Sequence, residues 1–158
     1  MNQKLIFDDG IREYEINDNG VLRFNPSDPN VYDRFCSVLK ELQEIEKEYE
    51  RKISDLITEQ EQKDDFAQSE AVLSAMHEYD ARIKGRLSHV FGTQNDFDVL
   101  LGGVNLMAIG RNGDRIITNL LSALMPIMES GIREQAKDEA AAAVQQAQLN
   151  RAQRRAAQ

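Results

Sequence analysis

Between Val31 and Leu56 the apolar residues Val31, Phe35, Val38, Leu42, Ile45, Tyr49 and Leu56 recur at steps of four and three, and only Lys52 breaks the rhythm, with Ile53 beside the gap. Side chains three and four apart share one face of an α-helix, so this stretch predicts a long helix with a heptad seam. Acids, lysines and arginines occupy its other faces, as a solvated helix surface requires. A helix with such a seam must cover it with another helix. Asp28-Pro29 marks its start, because the Asp28 carboxylate can accept from first-turn amides and Pro29 loses no hydrogen bond at the first helical position.

A second amphipathic stretch follows, carrying Phe66, Leu73, Met76, Ile83, Leu87 and Val90, with Asp80 interrupting the stripe and Gly92 as the stop. The polar run from Glu59 to Asp65 between the two stretches predicts a bend, and hence an antiparallel helical hairpin over residues 26–92. Residues 1–25 read as β: Leu5-Ile6-Phe7, then Ile11, Tyr14 and Ile16, then Val21 to Phe24, separated by Asp8-Asp9-Gly10 and Asn17-Asp18-Asn19-Gly20. These predict a three-stranded antiparallel meander, too small to stand without a helix over its apolar face.

Residues 93–139 predict a C-terminal helical part. Asn95-Asp96 can cap a short helix through Leu101, Gly102-Gly103 ends it, and Asp114 is placed to cap a longer helix interrupted by Pro126. Residues 140–158 are rich in alanine and glutamine, which predicts a projecting helix or a disordered tail with a basic end. The fold class is mainly α.

The formal charge of -8 gives the chain no overall attraction for nucleic acid or anionic lipid. Three arginines and no acid follow Glu139, so the rest of the chain is more acidic than that total. Cys36 is the only cysteine, which excludes an internal disulfide and a thiolate metal cluster. No apolar run approaches the length needed for export or for crossing a bilayer, and the expected location is the cytoplasm.

The residues carry little sign of chemistry. His77 and His89 lie about 18 Å apart along a straight helix, too far to share a metal. The Asp-Gly turns lack the ligand series of a calcium loop, and the glycine pairs lack the context of a phosphate loop. Glu41, Glu44, Glu46, Glu48 and Glu50 sit where water would keep them ordinary, and Cys36 has no nucleophile context. No enzyme, cofactor or metal site is expected.

Protein-binding surfaces remain. The candidates are Leu42, Ile45, Tyr49 and Leu56 on the heptad seam, and Leu120, Leu121, Leu124, Met125, Ile127 and Met128 on the wide apolar arc around Pro126. Either stripe can instead be consumed inside the fold, and core use is the commoner fate of the Pro126 arc. Homo-oligomerisation is a further use of the seam. The tip Arg151, Arg154 and Arg155 suits an acidic partner. It also keeps open a dimeric helical regulator with weak, salt-sensitive contact to nucleic acid.

The layout resembles a family of small proteins from the tail operons of phages and prophages of Gram-positive bacteria, grouped with tail assembly chaperones. The resemblance rests on Asn25-Pro26-Ser27-Asp28 leading to Phe35, on Val90-Phe91-Gly92, and on the closing Asn150 to Arg155. The long Ala/Gln run and the extended N-terminal β segment depart from the family pattern. The resemblance implies a protein that coats the apolar, helical tape-measure protein, or handles tail tube subunits, before the tube polymerises. Neither a membrane nor nucleic acid is implied as partner.

Overall fold

A computed structural model describes residues 1–59 and 65–157. Its elements in chain order are β1 (Arg12–Ile16), β2 (Gly20–Phe24), α1 (Pro29–Glu59), α2 (Asp65–Phe91), α3 (Phe97–Leu100) and α4 (Ile116–Ala156). The class is mainly α with an N-terminal β-hairpin, as the periodicity indicates. The expected bend between Glu59 and Asp65 falls on residues 60–64, outside the described residues.

The sheet has two strands, not three. β1 and β2 pair antiparallel with Tyr14 opposite Leu22 and Ile16 opposite Gly20. Asn17 and Asp18 take positive φ in the connecting turn, which the Asn19 amide closes onto the Ile16 carbonyl at 2.8 Å. Leu5-Ile6-Phe7, expected as a further strand, has no regular structure, and its side chains are 86%, 77% and 71% exposed. The reason is local. The Asp8 and Asp9 carboxylates accept from the Gly10 and Ile11 amides, and the Asn25 side chain donates to the Asp9 carbonyl at 3.1 Å. The segment is thereby tied beyond the Phe24 end of the sheet instead of folding back along β1.

Asp28 caps α1 as its position suggests, accepting from the Asn30 amide at 2.9 Å. Lys52–Glu78, Arg82–Glu48 and Arg86–Glu41 pairs bridge α1 and α2, and Arg34 donates to the Val90 carbonyl. Rising numbers on α1 meet falling numbers on α2, so the two helices are antiparallel and the hairpin closes within one chain. Its seam is spent internally: Val31, Phe35, Val38, Leu42, Ile45 and Tyr49 are all buried, against Tyr79, Ile83, Leu87 and Val90. At the α2 start Phe66 and Leu73 stay exposed, so the second stripe closes over only part of its length.

Phe91 explains why Val90-Phe91-Gly92 sits where it does. Its ring packs on Phe24 at 4.8 Å, Phe97 at 5.8 Å and Phe35 at 6.2 Å, joining the β-hairpin, α3 and α1. Gly92, at φ 107, then stops α2 in a conformation that an L side chain resists. Asn95 is buried beside it. Its side chain donates to the Phe91 and Arg23 carbonyls and accepts from the Arg23 amide, so it covers part of the outer edge of β2 with side-chain hydrogen bonds.

Candidate protein-binding surface

α4 organises the surface. Asp114 was expected to cap it, but Arg115 holds the cap position and no side chain bonds the first amides. The loop before it takes over: Ile116 donates to the Ala108 carbonyl and Ile117 to the Leu106 carbonyl, each at 2.9 Å. Leu106 and Met107 are fully buried, which fixes those carbonyls in place. The Arg111 to Asp114 turn folds this loop over an Ile109–Arg115 bridge.

A polar node holds that loop down. Lys84 lies one turn after Asp80 on α2, and both are buried. The Lys84 ammonium contacts Asp80 Oδ2 at 3.0 Å and Asp98 Oδ1 at 2.8 Å, and donates to the Val104 carbonyl at 2.9 Å. The second Asp80 oxygen accepts from the Leu106 amide at 2.8 Å. Burial pulls the Lys84 pKa down, but the hydrogen bonds and charges of Asp98 and Asp80 outweigh it, and the net direction is up. Lys84 holds the Asp98 carboxyl below its ordinary range. Asp80, which looks like a flaw in an apolar stripe, is therefore the anchor of the loop that starts α4.

From there α4 runs back along α1. Arg115 stacks over the Tyr49 ring at 5.1 Å and donates to the Met107 carbonyl. Burial raises the Tyr49 pKa, against the opposing pull of Arg115. Further on, Gly131 lies so close to the Pro26 carbonyl that a Cβ there would meet its oxygen at 2.0 Å. Arg12 pairs with Glu134 at 3.2 Å. Beyond Gln135 every described residue of α4 is exposed, and the helix continues to Ala156 as an arm roughly 30 Å long. Residues 140–158 were expected as a helix or a disordered tail, and the described part is helix.

Two apolar depressions flank the packed half of α4. One lies between it and the β-hairpin, has a volume of about 580 Å³, and is lined chiefly by Tyr14, Ile16, Leu101, Leu120, Leu124 and Ile127. The other, about 180 Å³, lies between α4 and α1, with Leu39, Leu42, Leu121 and Met125 in its walls. Past Arg115 it is followed along α1 by a more open depression at Glu50, Ile53 and Ile57.

The candidate residues thus separate. Ile45 and Tyr49 are buried in the helical hairpin and Met128 on the inner face of α4, so they form no open binding face in this fold, whereas Leu42 and Leu124, also buried, each edge one of the two depressions. The reason is that α2 and the β-hairpin cover those stripes from within the same chain. Leu56, Leu120, Leu121 and Ile127 are partly covered, and Met125 is exposed. Arg151, Arg154 and Arg155 are exposed near the end of the arm. Periodicity did not single out Leu39, Glu46, Glu50, Ile53 and Ile57, a second four-and-three series on α1 that the deeper seam masks. It also passed over the Asp80–Lys84 pair, although its spacing of four on a helix is a readable signal.

Among the described residues no group of three or more His, Cys, Asp or Glu side chains is placed to hold a metal ion. No helix in them is long and apolar enough to cross a membrane. Comparison with protein-family models, with curated proteins and with solved structures finds no match to this chain.

Proposed function

We propose that this chain is a non-catalytic binding protein of the tail assembly chaperone kind, which covers an apolar helical segment of a tail protein such as the tape measure. The observation that carries the reading is the depression between the β-hairpin and α4, with Leu120 and Ile127 facing Tyr14 and Ile16 across about 580 Å³. Its walls are mostly apolar, it is open to solvent, and its α4 side is lined over successive turns from Ile116 to Ile127. The uncovered Leu5-Ile6-Phe7 segment adds apolar surface that a client helix can bury. The acidic exterior of the body suits a protein that keeps a greasy client in solution.

Co-expression with a tape-measure protein tests this directly. The native chain should raise the soluble fraction of the client and co-purify with it. A chain carrying Leu120→Glu and Ile127→Glu, shown to be folded by circular dichroism, should do neither. Equal client solubility with and without the native chain would remove the proposal.

A further inference from the structure

The projecting half of α4 lacks what normally holds an exposed helix together. Solvated helices gain support from oppositely charged side chains one turn apart. After Glu139 the arm has no acid, and the only side-chain hydrogen bond described there joins Gln146 to Asn150. Arg154 and Arg155 in the last turn complement the helix dipole. That accounts for a positive end, but not for Arg151 or for the exposed Val144 on the same side of the helix.

The complementary feature lies on α1. Leu39, Gln43, Glu46, Glu50, Ile53 and Ile57 recur at four and three along one face; α4 borders it from Leu39 to Glu46 without closing it, and beyond Arg115 the Ile53–Ile57 end has no helix alongside on this face among the described residues. The face is apolar at both ends and acidic in the middle. Among the described residues neither Glu46 nor Glu50 has an ion-pair partner, and Arg115, the cation lining this groove, is engaged by Tyr49 and the Met107 carbonyl. Glu46 and Glu50 are spaced as Arg151 and Arg155 are, one helical turn of about 6 Å. The arm cannot reach its own groove. Leu121 lines the groove, Arg151 lies further along the same helix, and a straight helix holds the two roughly 45 Å apart.

We infer that the arm of one copy docks antiparallel along the α1 groove of a second copy, with Arg151 meeting Glu50, Arg155 meeting Glu46 and Val144 meeting the Ile57 end of the face. The small side chain of Ala147, on the Val144 side of the arm, lets the two helices approach closely there. The contact joins two different surfaces, so each added copy offers a new arm and a new groove, and the assembly extends head to tail or closes into a ring. It stands independently of the client proposed above. A chain that assembles but leaves a tape-measure protein insoluble keeps this inference and loses the other.

Sedimentation velocity of the full chain at tens of micromolar tests it. At low salt the native chain should sediment as a species larger than a monomer, and raising the salt should dissociate it. Reversing the arm (Arg151→Glu, Arg154→Glu, Arg155→Glu) or the groove (Glu46→Lys, Glu50→Lys) should weaken association by about tenfold or more. Mixing the two variants should restore it, because each arm then meets a groove of opposite sign. All these positions are exposed, and unchanged thermal melting should confirm that the variants fold. A native chain that stays monomeric at low salt, variants that assemble like the native chain, or a mixture that fails to recover association would each overturn the inference.

Discussion

The two halves of α4 are one continuous helix held by different forces. From Ile116 to Gly131 the helix is packed: Ile117, Leu124, Met128 and Gly131 are buried, and neighbouring backbone satisfies its first amides. From residue 136 onward nothing in the described structure covers it, and its order comes from alanine-rich helix propensity. The same hydrogen-bonding pattern thus rests on tertiary burial in one half and on local preference in the other. A substitution tells the two apart by whether the rest of the protein responds.

The largest response is expected in the body. Lys84→Ala removes the cation that neutralises buried Asp80 and tethers Asp98 and the Val104 carbonyl, and it should lower unfolding free energy by ~3–4 kcal/mol in urea titration. Met128→Ala leaves a void beneath the packed half of α4 and should cost ~2–3 kcal/mol in the same measurement. Gly131→Ala sets a methyl group against the Pro26 carbonyl, yet the helix beyond it is free to shift, so a net loss of ~1–2 kcal/mol is expected. If Gly131→Ala instead melts like the native chain, that contact does not constrain the fold.

A smaller effect is expected from pH. Lys84 titrates higher in the folded chain than when unfolded, so its contribution is complete below about pH 10.4 and is lost as pH rises through the folded value. Urea titrations above that pH should show native stability falling more steeply than in Lys84→Met, which has nothing there to lose. The smallest effect on the body belongs to Ala143→Pro. It should reduce far-UV ellipticity at 222 nm while leaving the melting temperature of the body unchanged. A drop of several degrees would mean that the arm is packed after all.

The same contrast explains how far the sequence could be read. The seam from Val31 to Tyr49 was legible because burial by one facing helix imposes a single period; the helical hairpin followed from the polar run after Glu59 and the stop at Gly92, and the β1–β2 turn from Asn17-Asp18. Leu5-Ile6-Phe7 misled because strand composition says nothing about where a chain leaves the sheet, and the Asn25 contact with Asp9 decides that. The apolar arc around Pro126 identified a region that borders two depressions. It did not say which of its residues face outward, because that depends on distant partners: Tyr14 and Ile16 on one side, Leu39 and Leu42 on the other. Asp80 read as an interruption because its partners, Lys84 and the Leu106 amide, meet only once the loop folds over α2.

The approach of Gly131 to Pro26 has a mechanical side. It is the last buried position before the arm leaves the body, so it serves as a fulcrum for a rod whose far end is exposed along its described length. A tilt of about ten degrees at that point sweeps the arginine tip through roughly 6 Å, a full turn of helix, while the packed segment barely moves. Small adjustments beside Pro26 are thereby magnified into large changes in where the tip can reach.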